Sequence, residues 1–208
     1  MRGTVRRRDE EEDTMVRDLE LFSKRARLNT PASATDIDEE HAPPPDTHSV
    51  TPEASTMGVI ERVDMINFMC HRNLSISLGP RINFIIGHNG SGKSAILTAI
   101  TVTLGGKAQT TSRGSSLKDF ILEGAQAAEV RVRLRNGGSD AYRPDLYGDA
   151  INIERRIHSD GSGSWKIKNA DGKTVSTKRE ELDAICDHAN IQVDNPMNIL
   201  SQDAARQF

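Results

Sequence analysis

Ile82-Asn83-Phe84-Ile85-Ile86-Gly87-His88-Asn89-Gly90-Ser91-Gly92-Lys93-Ser94-Ala95-Ile96 is the stretch that decides the fold. A short apolar run ends at Gly87, four residues separate Gly87 from Gly92, and Lys93-Ser94 follows at once. Glycines lack side chains, so successive backbone N–H groups can turn inward and surround an anion at close range. A lysine at this position carries a point charge to the β- and γ-phosphates, and the adjacent hydroxyl suits magnesium. Beyond the loop, Ala95, Ile96, Ala99, Ile100 and Leu104 recur at three- and four-residue spacing, the pattern of a helix with one apolar face. Gly105-Gly106 ends it, and its N-terminus adds partial positive charge toward the loop. Strand, loop and helix in this order are the context that a phosphate-binding loop requires. The sequence therefore predicts an α/β P-loop NTPase fold. ATP with magnesium is expected on Gly87, His88, Asn89, Gly90, Ser91, Gly92, Lys93, Ser94 and Ala95.

Upstream of the loop, Val59 to Phe68 and Leu74 to Leu78 read as two paired strands, and Gly79-Pro80 turns the chain toward Ile82. Downstream, Ala128 to Leu134 alternates apolar and charged residues. Ile151 to Ile157 and Trp165 to Lys168 repeat the pattern, with Asp160-Gly161-Ser162-Gly163 as the turn between them. These are antiparallel meander strands. Thr177-Lys178-Arg179-Glu180 has the form of a capping box that opens a helix through about Ala189.

The first 56 residues differ in character. They hold 8 basic against 13 acidic residues, whereas residues 57–208 hold 19 against 17, so the net charge of −3 hides an acidic tail on a mildly basic remainder. Arg6-Arg7-Arg8, an acidic run over residues 9–13 and Pro43-Pro44-Pro45 bring too few aliphatic side chains to offset chain entropy. Residues 1–56 are expected to be a disordered acidic tail, with Val16 to Leu28 able to fold on a partner and Lys24-Arg25-Ala26-Arg27 a candidate nuclear import signal. No apolar run reaches the roughly 20 residues of a membrane helix, and no apolar centre of a secretory signal stands at the N-terminus. A soluble intracellular protein with no membrane partner is the expectation. Cys70 and Cys186 are too few for a disulfide framework or a four-cysteine zinc site and are expected to be reduced core thiols.

Hydrolysis needs more than a cradle. Magnesium is ordinarily steadied by a second carboxylate at the end of an apolar strand, and a polar group orients the attacking water. After Lys93 no run of four apolar residues ends in Asp. The available substitute is Gln202, within Asn195-Pro196-Met197-Asn198-Ile199-Leu200-Ser201-Gln202-Asp203, whose amide suits both metal and water.

Taken together, Asn67-Phe68-Met69-Cys70-His71, the run from Gly79 to Ala95, Leu104-Gly105-Gly106-Lys107-Ala108, Arg113-Gly114-Ser115-Ser116-Leu117-Lys118 and Asn195 to Asp203 resemble the structural maintenance of chromosomes family. The resemblance covers residues 57–208 and implies the N-terminal lobe of an ABC-type ATPase head with an antiparallel β subdomain. It also implies a role for each matching position. Lys93 and Gln202 would serve catalysis, Ser94 and Gln202 would hold magnesium, and Arg113 and Lys118 would reach DNA or, for Arg113, sense nucleotide. Many relatives carry a basic residue where this chain has Met69, which removes one nucleotide contact.

The branch resembled is the one that works in DNA repair beside the family's fifth member and associated non-SMC subunits, in the nucleus and on the chromosome. Its signature motif, Asp-Glu strand, coiled coil and hinge have no counterpart in these 208 residues. The resemblance thus leads to an ATP-binding lobe that contacts DNA without sequence preference and that hydrolyses ATP only when completed. The other readings are a small P-loop phosphotransferase, for which an acceptor site is missing, and a DNA-binding module with a vestigial loop.

Overall fold

The computed structural model describes residues 56–111, 113–195 and 198–200. Chain packing sets Ile86–His88 apart from the other described residues, which form the second unit. The tail, its Val16–Leu28 segment, its basic runs and Gln202 lie outside the described residues.

The second unit is built on one antiparallel sheet. Its strands are β1 (Ile60–Phe68), β2 (His71–Ser77), β3 (Ala127–Arg135), β4 (Ala150–His158), β5 (Gly163–Lys168) and β6 (Thr174–Ser176), in the order β2-β1-β3-β4-β5-β6. The alternation in the sequence decides which face is covered, because side chains on a strand point to opposite sides with period two. On β3, Ala128, Val130, Val132 and Leu134 are buried while Glu129, Arg131, Arg133 and Arg135 share the other face. That charged face is an ion-pair lattice. Glu61 accepts from Arg133 at 3.1 Å and Arg135 at 2.7 Å, Arg131 pairs with Glu129, and Lys168 donates to Glu154 at 2.6 Å.

Helix α1 (Lys93–Thr103) covers the apolar face over β1, β3 and β4. Ile96, Ala99 and Val102 enter the core beside Val63, Met65 and Phe68, and the Phe68 and Phe120 rings pack with centroids 5.7 Å apart. A single turn, α2 (Pro144–Tyr147), places Tyr147 in the core, and α3 (Arg179–His188) buries Leu182, Ile185 and Cys186. Neither α2 nor β6 was evident from the sequence pattern.

Three expectations are corrected. Ile82–Ile86 is not a strand: Ile82 and Phe84 are each 81% exposed and Ile86 is 60% exposed. A run apolar on both sides needs paired edges and two covered faces, and no described strand pairs with it. Instead the Asn83 side chain hooks back on Gly79, accepting its N–H at 2.7 Å and donating to its carbonyl at 3.0 Å. The capping box at Thr177 does not form either, since α3 begins one residue later with Lys178 as N-cap and no side-chain cap. Finally, only Cys186 is a core thiol, because Cys70 is exposed.

Candidate functional site

Gly90 and Gly92 adopt φ values of 86° and 81°, the left-handed region that favours glycine. Gly92 is the N-cap of α1, and the first turn of that helix carries neither a side-chain cap nor an acidic residue. The chain therefore turns from the glycine loop directly into a helix N-terminus, a geometry that favours an anion through both backbone N–H groups and the helix dipole. Within the loop, Ser91 Oγ is buried and has no hydrogen-bond partner among the described residues. A buried hydroxyl without a partner is costly, and a phosphate oxygen accepting from it would remove that cost.

Beneath the loop lies His71, 4% exposed at the start of β2. Its Nε2 stands 3.4 Å from the Gly92 carbonyl oxygen. A Cβ on Gly92 would collide with the His71 ring and come within 2.5 Å of Cys70 Sγ, whereas a Cβ on Gly90 would meet nothing within 4 Å. The two glycines thus serve different ends. Both supply a left-handed turn, but Gly92 also lets the β1–β2 hairpin press against the loop. Among the described residues no group of three or more His, Cys, Asp or Glu is placed to hold a metal.

The loop also meets one of the residues the sequence singled out far from it. Arg113 Nη2 donates to Ser94 Oγ at 3.0 Å, so a cation stands against the hydroxyl at the end of the loop. Arg113 is carried by the connection after α1, which includes short 3₁₀ turns at Ala108–Thr111 and Leu117–Phe120. Asp119 shapes this connection by accepting from the Ser115 and Ser116 backbone N–H groups, both at 2.9 Å. Lys118 is exposed in the second turn beside Asp119, on the same connection as Arg113. Gly87 and His88 are exposed and belong to the other unit. Ala95 is buried at 1% exposure and anchors the first turn of α1 to the core.

Comparison with known proteins fits this geometry. The family described as AAA domain matches residues 62–208. Structural maintenance of chromosomes protein 6 from Schizosaccharomyces pombe is 53% identical over 152 residues, which is 73% of this chain and 13% of that protein. The protein of the same name from Homo sapiens is 51% identical over 156 residues, 74% of this chain and 14% of that protein. The chain thus spans about one seventh of the length of these curated relatives. Among solved structures, one described as bearing on ATP-driven dimerization and DNA-stimulated activation of SMC ATPases superposes with a TM-score of 0.61 at 29% identity. It covers 72% of this chain and 89% of the solved one.

Proposed function

The chain belongs to the structural maintenance of chromosomes family, as the N-terminal part of a P-loop ATPase head, and we propose that residues 57–208 are its ATP-binding lobe. The carrying observation is the loop itself: left-handed Gly90 and Gly92, the partnerless Ser91 hydroxyl and the uncapped start of α1 converge where a triphosphate would sit. In this reading Gly87 to Ala95 hold the phosphates, with Lys93 as the charge on the β- and γ-phosphates. Ser94 and Gln202 hold magnesium, which when bound neutralises phosphate charge.

The lobe works as half of a site. Ile82 and Phe84 stand in solvent, which supports a completing chain segment that pairs with this run and covers it. Hydrolysis, in this reading, requires that segment and a partner head, the fifth member of the family, together with non-SMC subunits. The solved neighbour concerned with ATP-driven dimerization and DNA-stimulated activation supports both the partner and DNA. DNA contact falls to Arg113 and Lys118, through phosphates and without sequence preference. The setting is DNA repair on the chromosome, in the nucleus.

Titration of the chain with a fluorescent ATP analogue, with and without magnesium, tests the reading. Saturable binding that Lys93→Ala abolishes is expected, with no turnover by the chain alone. Binding that Lys93→Ala leaves untouched would favour a vestigial loop, and hydrolysis by the isolated chain would favour a self-sufficient phosphotransferase. For DNA, Arg113→Glu should weaken duplex binding across a salt series; unchanged binding removes Arg113 from the contact.

A further inference from the structure

Strand β4 carries a charge on its apolar face. Ile151, Ile153 and Ile157 are fully buried there, and by strand periodicity Arg155 shares their side of the sheet. It is only 5% exposed, and its Nε and Nη1 are buried without a hydrogen-bond partner. Its guanidinium lies 3.2 Å from the centroid of Trp165, the residue directly across the ladder on β5. No carboxylate pairs with it among the described residues. Burial, and secondarily the charge of Arg179, pulls its pKa down to about 10.

A guanidinium taken out of water without an acceptor is among the most expensive groups a fold can carry. Stacking on Trp165 offsets only part of that cost. Arg155 also lines a cavity of about 330 Å³, together with Lys107, Ser115, Ser116, Trp165 and Arg179. Among the described residues, no acidic one lines it. Arg179 is held in place by donating to the Gly105 carbonyl at 3.0 Å, and its nearest acid, the exposed Asp183, is 3.6 Å away.

We propose that this recess is a second anion site, separate from the glycine loop, that binds the dianionic phosphoryl group of a small ligand between Arg155, Arg179 and Lys107. Charge balance favours this occupant over a carboxylate. One carboxylate would leave two of the three lining cations unmatched, whereas a phosphate dianion with three acceptor oxygens matches more of the charge. The depth of Arg155 favours a small ligand over a polymer backbone, since 5% exposure leaves room for an inserted group rather than for a strand passing over the surface. The recess is bounded by the same connection that brings Arg113 to Ser94, so occupancy would stiffen a segment that touches the loop.

The chain contains one tryptophan, Trp165, which reports the recess directly. Inorganic phosphate titrated against the 208-residue chain, with chloride at matched ionic strength as control, should give a saturable change in Trp165 fluorescence. That change should persist in Lys93→Ala, which separates this site from the nucleotide reading. It should weaken about tenfold or more in Lys107→Gln, whose exposed position leaves folding intact, and in Arg155→Gln. Absence of saturation, a response equalled by chloride, an unchanged response in Lys107→Gln, or its loss in Lys93→Ala would each overturn the proposal. So would a response to single-stranded DNA with none to phosphate.

Discussion

Gly92→Ala should damage the protein even when no nucleotide is present. At φ 81° an alanine pays about 1–2 kcal/mol for the left-handed backbone alone. Its Cβ would also overlap the His71 ring and approach Cys70 Sγ to 2.5 Å. His71 is only 4% exposed, so it has little room to yield, and forced repacking of this kind costs typically about 1–3 kcal/mol. Together the two effects amount to about 2–5 kcal/mol, which for a domain of this size lowers Tm by roughly 5–15 °C. Gly90→Ala is the internal control, because φ 86° carries the same backbone cost while its Cβ meets nothing within 4 Å. Thermal unfolding followed by far-UV circular dichroism, on both variants without nucleotide, isolates the contact with the hairpin as the difference between them. A double-mutant cycle of Gly92→Ala with His71→Ala should recover about 1 kcal/mol or more of coupling. Equal Tm values for the two glycine variants would refute the argument that the β1–β2 hairpin braces the loop.

Arg113→Ala removes the cation that occupies Ser94 Oγ, so half-maximal magnesium-dependent nucleotide binding should move to about two- to tenfold lower magnesium, read from fluorescent-nucleotide titrations at fixed nucleotide. Burial pushes the Glu154 carboxyl up, but the hydrogen bond from Lys168 and the charges of Lys168, Lys166 and Arg131 outweigh it and leave its pKa lowered. A lowered folded-state pKa means that this stabilisation is present above the usual carboxylate range and is lost as pH falls through the folded value. Urea unfolding between neutral pH and pH 3 should therefore show a shallower acid loss in Glu154→Gln than in the parent chain. Burial raises the Cys186 thiol to about 11, with Asp183 and Asp187 adding to the shift, while Cys70 is exposed. Iodoacetamide near neutral pH should accordingly label Cys70 in the folded chain and Cys186 only after denaturation.

What the sequence disclosed and what it hid follow from how far apart the interacting residues are. The five longer strands were legible because a period of two survives in any window, as in Val130, Val132 and Leu134. Helix α1 was legible because its apolar spacing and the Gly105-Gly106 stop are local. The turn at α2 was not, because it is held from outside the window: buried Asn136 donates to the Tyr142 and Gly148 carbonyls at 3.0 and 2.7 Å. Strand periodicity already puts Arg155 on the face of Ile153 and Ile157, but its burial against Trp165 depends on a pairing with β5 that the sequence of β4 does not show. The role of His71 beneath Gly92 and the bond from Arg113 to Ser94 join residues 21 and 19 positions apart, beyond any motif. The loop could be read from spacing, whereas its supports could not.

The failed strand at Ile82–Ile86 carries the most information about the proposed function. Burying a single Ile or Phe side chain stabilises by about 1.5–3 kcal/mol, so Ile82, Phe84 and Ile86 together hold about 5–9 kcal/mol that the described fold leaves unused. A domain of this size has a net stability of only about 5–15 kcal/mol. The unused burial is therefore of the same order as that net stability, while β1 pairs with β2 and β3 without it. Under the half-site reading, covering Ile82 and Phe84 would fix the entry strand and the phosphate loop in one step, so completion of the fold and completion of the nucleotide site become the same event. Amide exchange at Phe84 and Ile85 should then slow by orders of magnitude when a completing segment binds, in parallel with the rise in nucleotide affinity. Affinity that rises while these amides keep exchanging freely would separate the two events and end the argument.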